Sequence, residues 1–399
     1  MEVRHLQHTD LKVSRVCLGT MTFGKPVTQN DATRMVDICL EAGINCIDTA
    51  NMYQLGVAEQ LLGEALKEKR DKVVLSTKVR MKMGDGPEEG GLSKRAIHRA
   101  IEDSLRRLQT DYVDIYYLHQ PDYDVAIEET VEAIEDLVKQ GKVRYPGTSN
   151  YASWQVTQML EIARQRNYKP AFVAQPMYNL LARGIEQEFL PMAKTFGVST
   201  FVYNPLAAGL LTGKHKEAVI PQGGRFDKNQ MYQDRYWNAR TFHAVDELKA
   251  IANDAGRSLL DLAFAWLFHH TASEVVILGA SSVAQLRENL GSMQRRTYSR
   301  GRSLEDQRSM AGISWPCSVL QPVTWSWHSQ RSFAPTDFQG TFPFCLPPPC
   351  ARASMQLIPG TGGGPSNANA SPGARAPFGR RRSLRICSTD STTSGAANA

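Results

Sequence analysis

Eight times along this chain a short apolar run is followed by a segment of helical period, and nothing else constrains the fold as tightly. The runs are RVCLGTM (15–21), NCIDTA (45–50), VVLSTKV (73–79), YVDIYYLH (112–119), KVRYPGTSN (142–150), AFVAQPMY (171–178), STFVYNP (199–205) and EVVILGA (274–280). They recur about every 30 residues as far as the seventh. Alternation of this kind demands a parallel sheet joined by right-handed crossovers. Eight units in about 280 residues is the count and size of a closed (β/α)8 TIM barrel of the α/β class. An open doubly wound sheet is the competing solution. It is disfavoured because the turn after the first run reads LGTMTFG, without the GxGxxG of a dinucleotide fingerprint.

Local signals set the helices. Residues 28–43 carry Thr28 as N-cap, Asp31 three residues on, apolar positions 35, 36, 39 and 40 on one face, and Gly43 as the stop. Further helices are expected over 57–69, 93–108 and 126–141, after residue 151, over 184–197, from about 241 to 270, and after residue 281. The opening VRHLQHTDLKVS reads as a hairpin beneath the barrel. Pro146 lies in the fifth run and lacks a ladder donor, so that strand is expected to end early.

From about residue 291 the composition changes. Eleven of the chain's twenty prolines fall there, and ten arginines against four acids past residue 296 supply all of the formal +6. The body is therefore neutral, which argues against a nucleic-acid surface. We read residues 1–295 as the barrel and 296–399 as a low-complexity Pro/Ser/Arg-rich extension of disordered composition. The seven cysteines form no CxxC or metal spacing, and Cys17, Cys39 and Cys46 sit in apolar runs as free thiols do. No metal is expected. The N-terminus has no apolar signal segment, and no stretch approaches 18 apolar residues, so neither secretion nor a membrane partner is expected and the location is cytoplasmic.

The chemistry gathers where the runs end. The second, third and fourth deliver Asp48, Lys78 and His119, with Tyr53 just past Asp48. Asp48 alone could be a helix cap and His119 alone a structural histidine. Together they occupy the C-terminal ends of three consecutive strands, which is the active face of a TIM barrel. Lys78 needs a counter-ion if buried, and Asp48 can be one. An ammonium beside a phenol lowers its pKa, so Tyr53 could act as a general acid while His119 orients a carbonyl oxygen.

Seven segments in order, GINCIDTANMYQLGVAEQLLG, VVLSTKV, VDIYYLHQPD, GTSNY, QPMYN, YNPLAAGLLTGK and ILGASSVAQLREN, resemble the aldo-keto reductase superfamily over about residues 1–292. LHQPD, QPMYNLLAR, NPLAAGLLTGKHK and GRFDKNQMYQDRYW resemble its aflatoxin-aldehyde and succinic-semialdehyde reductase branch. The resemblance implies NADP(H)-dependent reduction of an aldehyde or ketone, with Tyr53 as proton donor and Asp48, Lys78 and His119 completing the tetrad. It implies that Ser149, Asn150 and Gln175 hold the nicotinamide carboxamide and that Tyr203 stacks on the ring. The loop from Asn204 through Pro205, Leu206, Gly209, Leu211 and Gly213 to Lys214 would cover the pyrophosphate. Gly279, Ser281, Gln285 and Asn289 would meet the adenosine end, and Arg225 its 2′-phosphate. Tyr232 and Arg235 would face a small carbonyl substrate, and Arg235 could hold its carboxylate. The branch also implies a homodimer. Potassium-channel β subunits share the barrel and the tetrad, so a cofactor-binding regulatory subunit is the alternative. The family's C-terminal segment is replaced here by the extension, which points to an incomplete last helix, an opened pocket and a catalytically impaired isoform.

Overall fold

The computed structural model describes residues 1–294. The expected boundary at 295/296 and the expected disordered extension lie outside the described residues. Eight parallel strands close into a barrel: β3 (Val16–Gly19), β4 (Cys46–Asp48), β5 (Val74–Val79), β6 (Val113–Leu118), β7 (Val143–Ser149), β8 (Val173–Gln175), β9 (Ser199–Val202) and β10 (Val275–Gly279), with β10 returning to pair with β3. Around it run α1 (Gln29–Glu41), α2 (Val57–Ala65), α3 (Lys94–Leu108), α4 (Ile127–Lys139), α5 (Ser153–Arg166), α6 (Phe189–Phe196), α7 (Gln230–Tyr236), α8 (Ala239–Asp254), α9 (Leu259–His269) and α10 (Val283–Gln294). The TIM-barrel expectation holds.

An antiparallel hairpin of β1 (Val3–His5) and β2 (Lys12–Ser14) precedes the barrel. Its Leu6, Leu11 and Val13 are buried with Cys17, Cys46, Ile115, Tyr117 and Phe201, so it plugs the floor from below. Turn chemistry behaves as read: the Thr28 side chain accepts from the Asp31 N–H, and Gly43 and Gly141 adopt positive φ after α1 and α4.

Three elements differ from expectation. The strand with Pro146 does not end early: β7 runs to Ser149, and Pro146 stands opposite Tyr116. Pairing with β8 begins only at Gly147, so the residue without an N–H precedes the stretch that is paired on both sides. The helix expected over 57–69 stops at Ala65, and Glu68 takes positive φ in the turn that follows. The segment 184–197 divides into a 3-10 turn, Gly184–Glu186, and α6, which begins at Phe189. Pro191 then falls in the first turn of α6, where its missing N–H costs nothing.

The period of two along each strand places the site. Inward positions climb from Cys46 to Asp48, from Ser76 to Lys78, and from Ile115 to Tyr117, each starting in the floor cluster or just above it. Gly147 keeps the inner layer packed, because a Cβ there would come within 2.6 Å of the Tyr117 ring.

Candidate active site

Lys78 has no exposed surface and Asp48 is 2 % exposed, so their charges must answer each other. Lys78 Nζ lies 2.5 Å from Asp48 Oδ2, donates to the Thr49 carbonyl at 2.7 Å, and reaches Tyr53 Oη at 3.4 Å. The other carboxylate oxygen is also occupied. Asp48 Oδ1 accepts from Ser76 Oγ at 2.7 Å and from Gln175 Nε2 at 3.0 Å. Ser76 did not stand out in the sequence. It is a small residue in an apolar run, and only the register that sets it opposite Asp48 reveals the contact.

Tyr53 opens a 3-10 turn, Tyr53–Gly56, and its ring meets His119 edge-on with centroids 6.1 Å apart. The tetrad residues Asp48, Tyr53, Lys78 and His119 are thus gathered in one place. Their electrostatics correct one expectation. Burial, the largest influence, pushes the Tyr53 phenol upward; Lys78 draws it down, and the net direction is up. Burial would drive the Lys78 ammonium down, but the Asp48 charge and then Tyr53 outweigh it and hold it above the ordinary lysine value. Burial, then the charges of Lys78 and Arg80, bring His119 down to about 3, so it is a neutral imidazole at physiological pH.

A second group lies beside the tetrad. Ser149 Oγ donates to the Gln175 carbonyl at 3.0 Å. Asn150 Nδ2 donates to the His119 carbonyl at 2.8 Å and to Ser149 Oγ at 3.1 Å. Tyr203 Oη donates to Asn150 Oδ1 at 2.7 Å. Ser149, Asn150, Gln175 and Tyr203 therefore form one connected set.

The loop after Tyr203 is built largely from left-handed backbone. Asn204, Ala207, Ala208, Gly209 and Gly213 all have positive φ, and Gly209 at +104° suits glycine alone. Asn204 serves its own loop: its Oδ1 accepts from the Ala208 N–H at 2.7 Å. Pro205, Leu206 and Leu211 are buried, and Lys214 is exposed. Past β10, where Gly279 is exposed, Gln285 Oε1 accepts from the Ser281 N–H at 2.6 Å and from Ser281 Oγ at 2.8 Å. Asn289 is 1 % exposed, and its Nδ2 has no partner among the described residues. Arg225 and Arg235 both flank the Tyr232 ring, at 5.7 and 5.8 Å from its centroid. Arg225 is thereby placed with Tyr232 and Arg235.

Among the described residues, no group of three or more His, Cys, Asp or Glu is arranged to hold a metal ion, and no helix is long and apolar enough to cross a membrane. The family model described as "Aldo/keto reductase family" matches residues 15–300. A "Probable voltage-gated potassium channel subunit beta" of Oryza sativa subsp. japonica is 36% identical over 297 residues, covering 73% of this chain and 90% of that protein. "Aflatoxin B1 aldehyde reductase member 2" of Rattus norvegicus is 35% identical over 296 residues, covering 69% of this chain and 79% of that protein. "Uncharacterized oxidoreductase YrpG" of Bacillus subtilis (strain 168) is 34% identical over 306 residues, covering 74% and 91%.

Proposed function

The chain belongs to the aldo/keto reductase family, and from that premise we propose that it reduces aldehydes or ketones to alcohols with NADPH. The observation that carries this reading is Lys78, buried and charged, standing between Asp48 and the Tyr53 hydroxyl.

The residues fit a nicotinamide dinucleotide. Asn289 holds an unpartnered buried amide where the adenosine end would lie. The Ser149–Asn150–Gln175 set presents amide and hydroxyl groups at the tetrad's edge, suited to a carboxamide. Tyr203 would stack on the ring. The loop of Asn204, Pro205, Leu206, Gly209, Leu211, Gly213 and Lys214 would cover the pyrophosphate, and Gly279, Ser281 and Gln285 would line the adenosine site. Arg225 would take the 2′-phosphate. NADPH supplies the hydride when bound.

Every other step belongs to the chain. Neutral His119 donates a hydrogen bond to the carbonyl oxygen and orients it. Tyr53 gives its proton to the oxygen as charge develops there. Lys78 stabilises the phenolate left behind, and Asp48 keeps Lys78 in place. The phenol's raised pKa keeps it protonated before the reaction, and the ammonium acts when charge appears. Tyr232 and Arg235 face the substrate, with Arg235 available to a carboxylate.

The free, buried Cys17, Cys39 and Cys46 support a reducing, cytoplasmic location. A homodimer, and a barrel of residues 1–295 followed by a low-complexity extension over 296–399, belong to the same proposal.

The matched potassium-channel β subunit supports a second reading, a cofactor-binding regulatory subunit. Titration with NADPH, read by tryptophan quenching, followed by aldehyde addition separates the two. Saturable binding with turnover is expected. Saturable binding with no turnover of any aldehyde would favour the regulatory subunit or an impaired isoform, and no binding would sink both cofactor readings.

A further inference from the structure

Arg80 stands directly after β5, two residues past Lys78, on the active face of the barrel. It is the described residue whose backbone is hardest to explain locally. Its φ is +135°, a region that side-chain-bearing residues rarely enter and that is strained for them. Its carbonyl accepts from the Gly91 N–H at 2.8 Å, which closes the loop over 81–90 and fixes where the side chain starts.

The side chain is only partly exposed, and its Nε is buried without a partner. No hydrogen bond or ion pair engages its guanidinium among the described residues. The surrounding arginines behave differently: Arg95 and Arg99, on the helix that follows, both pair with glutamates of the loop. Arg80 instead lies near enough to His119 and Tyr151 for its charge to bear on both. Asp122 is the acid that shares Tyr151 as a neighbour, but its oxygens accept from the Leu92 N–H at 2.7 Å and the Asp124 N–H at 3.3 Å. His119 Nδ1 is a second buried nitrogen without a partner. Backbone pairing sets the two residues side by side at the barrel rim: Val79 stands opposite Leu118, and the His119 N–H donates to the Val79 carbonyl at 2.9 Å, so Arg80 leaves β5 directly beside the end of β6 that carries His119.

A strained backbone that holds an unpaired cation in a partly buried place is unfavourable on both counts unless something recovers the cost. A planar guanidinium matches the oxygens of a carboxylate or phosphate. We propose that Arg80 forms an anion subsite beside His119, and that the preferred substrates are carbonyl compounds bearing an anionic oxygen group. The subsite rests on the carbonyl-reductase reading of the tetrad. It is separate from Arg235, which flanks Tyr232 and whose charge bears on Tyr203 and Tyr236.

The test uses the full-length protein and substrate pairs that differ by one added anionic group: benzaldehyde with 4-carboxybenzaldehyde, and glyceraldehyde with glyceraldehyde 3-phosphate. The first pair reads a carboxylate and the second a phosphate. The quantity is the ratio of kcat/KM, anionic over neutral, in wild type, Arg80→Gln and Arg80→Gly. The glycine variant removes the charge and accepts the positive φ, so it folds even if the glutamine variant does not. The ratio is expected to exceed one in wild type for at least one pair, and to fall at least tenfold in both variants, chiefly through KM. Wild-type ratios below one for both pairs, or ratios unchanged by substitution in both pairs, overturn the subsite. If no aldehyde is turned over, the reductase reading fails separately. The subsite is then read by calorimetric titration of the NADP⁺-saturated protein with 4-(hydroxymethyl)benzoate and with benzyl alcohol. Binding of the benzoate that weakens at least tenfold on Arg80→Gly supports it, and equal behaviour of the two alcohols ends it.

Discussion

A lysine ammonium with no exposed surface is tolerated only where its partners are fixed. Lys78 has three: Asp48 Oδ2, the Thr49 carbonyl and the Tyr53 hydroxyl. Asp48 is fixed in turn by Ser76 and Gln175. Removing one member of such a buried pair strands the other charge, at a cost of about 3–5 kcal/mol. His119 carries a consequence for pH. Its folded pKa is about 3, against 6.5 for a free imidazole. Between those values the unfolded chain binds a proton that the native protein refuses. Its contribution to stability is therefore complete above about pH 6.5 and is lost as pH falls toward 3, at a slope of at most about 1.4 kcal/mol per pH unit. Urea denaturation from pH 7 to 4 should show wild type losing stability faster than His119→Gln; parallel losses would contradict a neutral, buried imidazole. The positions of Asp48, Lys78, Tyr53 and His119 could be read from the sequence because strand ends on a barrel face converge whatever the loops do. Ser76 and Arg80 could not. One depends on strand register and the other on a backbone angle, and neither leaves a mark in residue type.

At the scale of elements, packing overrules intrinsic propensity in α2. Gly63 is helical, and an alanine there would ordinarily gain up to about 1 kcal/mol. Here its Cβ would come within 2.5 Å of the Arg107 carbonyl oxygen and 2.8 Å of the Leu108 carbonyl carbon at the end of α3. The obstacle is backbone, so it cannot swing aside. Gly63→Ala is expected to destabilise by about 1–3 kcal/mol. Gly291→Ala in α10, where no described atom lies within 4 Å of the new Cβ, is the control and should be neutral or stabilising. Thermal melts of both decide it, and a stabilised Gly63→Ala would refute the close α2–α3 contact. The same competition explains where sequence reading of the elements stopped. The cap at Thr28 is local chemistry and was legible. The division before α6 is tertiary: Glu188, its N-cap residue, is held by the Ser153 hydroxyl from α5, and no window of the sequence contains both.

For the molecule as a whole, the open question at the sequence level was whether the barrel closes with an altered C-terminus. The eighth helix is present through Gln294, with Leu286 and Leu290 buried, and Ser292 Oγ donates to Asp261 Oδ1 of α9 at 2.5 Å. The expected incompleteness of the last helix concerns the chain past Gln294, which lies outside the described residues. A chain ending at residue 295 should therefore unfold cooperatively, with a Tm within a few degrees of the full chain, and bind NADPH with similar affinity; aggregation or loss of binding would place essential residues past 295. The central claim is that Tyr53 protonates a carbonyl oxygen under the influence of Lys78. It is tested most directly by following loss of the nicotinamide absorbance with 4-nitrobenzaldehyde for wild type and Tyr53→Phe, with NADPH binding measured alongside. Turnover by wild type, with kcat reduced roughly 10²–10⁴-fold in the variant and cofactor affinity retained, is the predicted result. Equal turnover by both proteins would contradict the account.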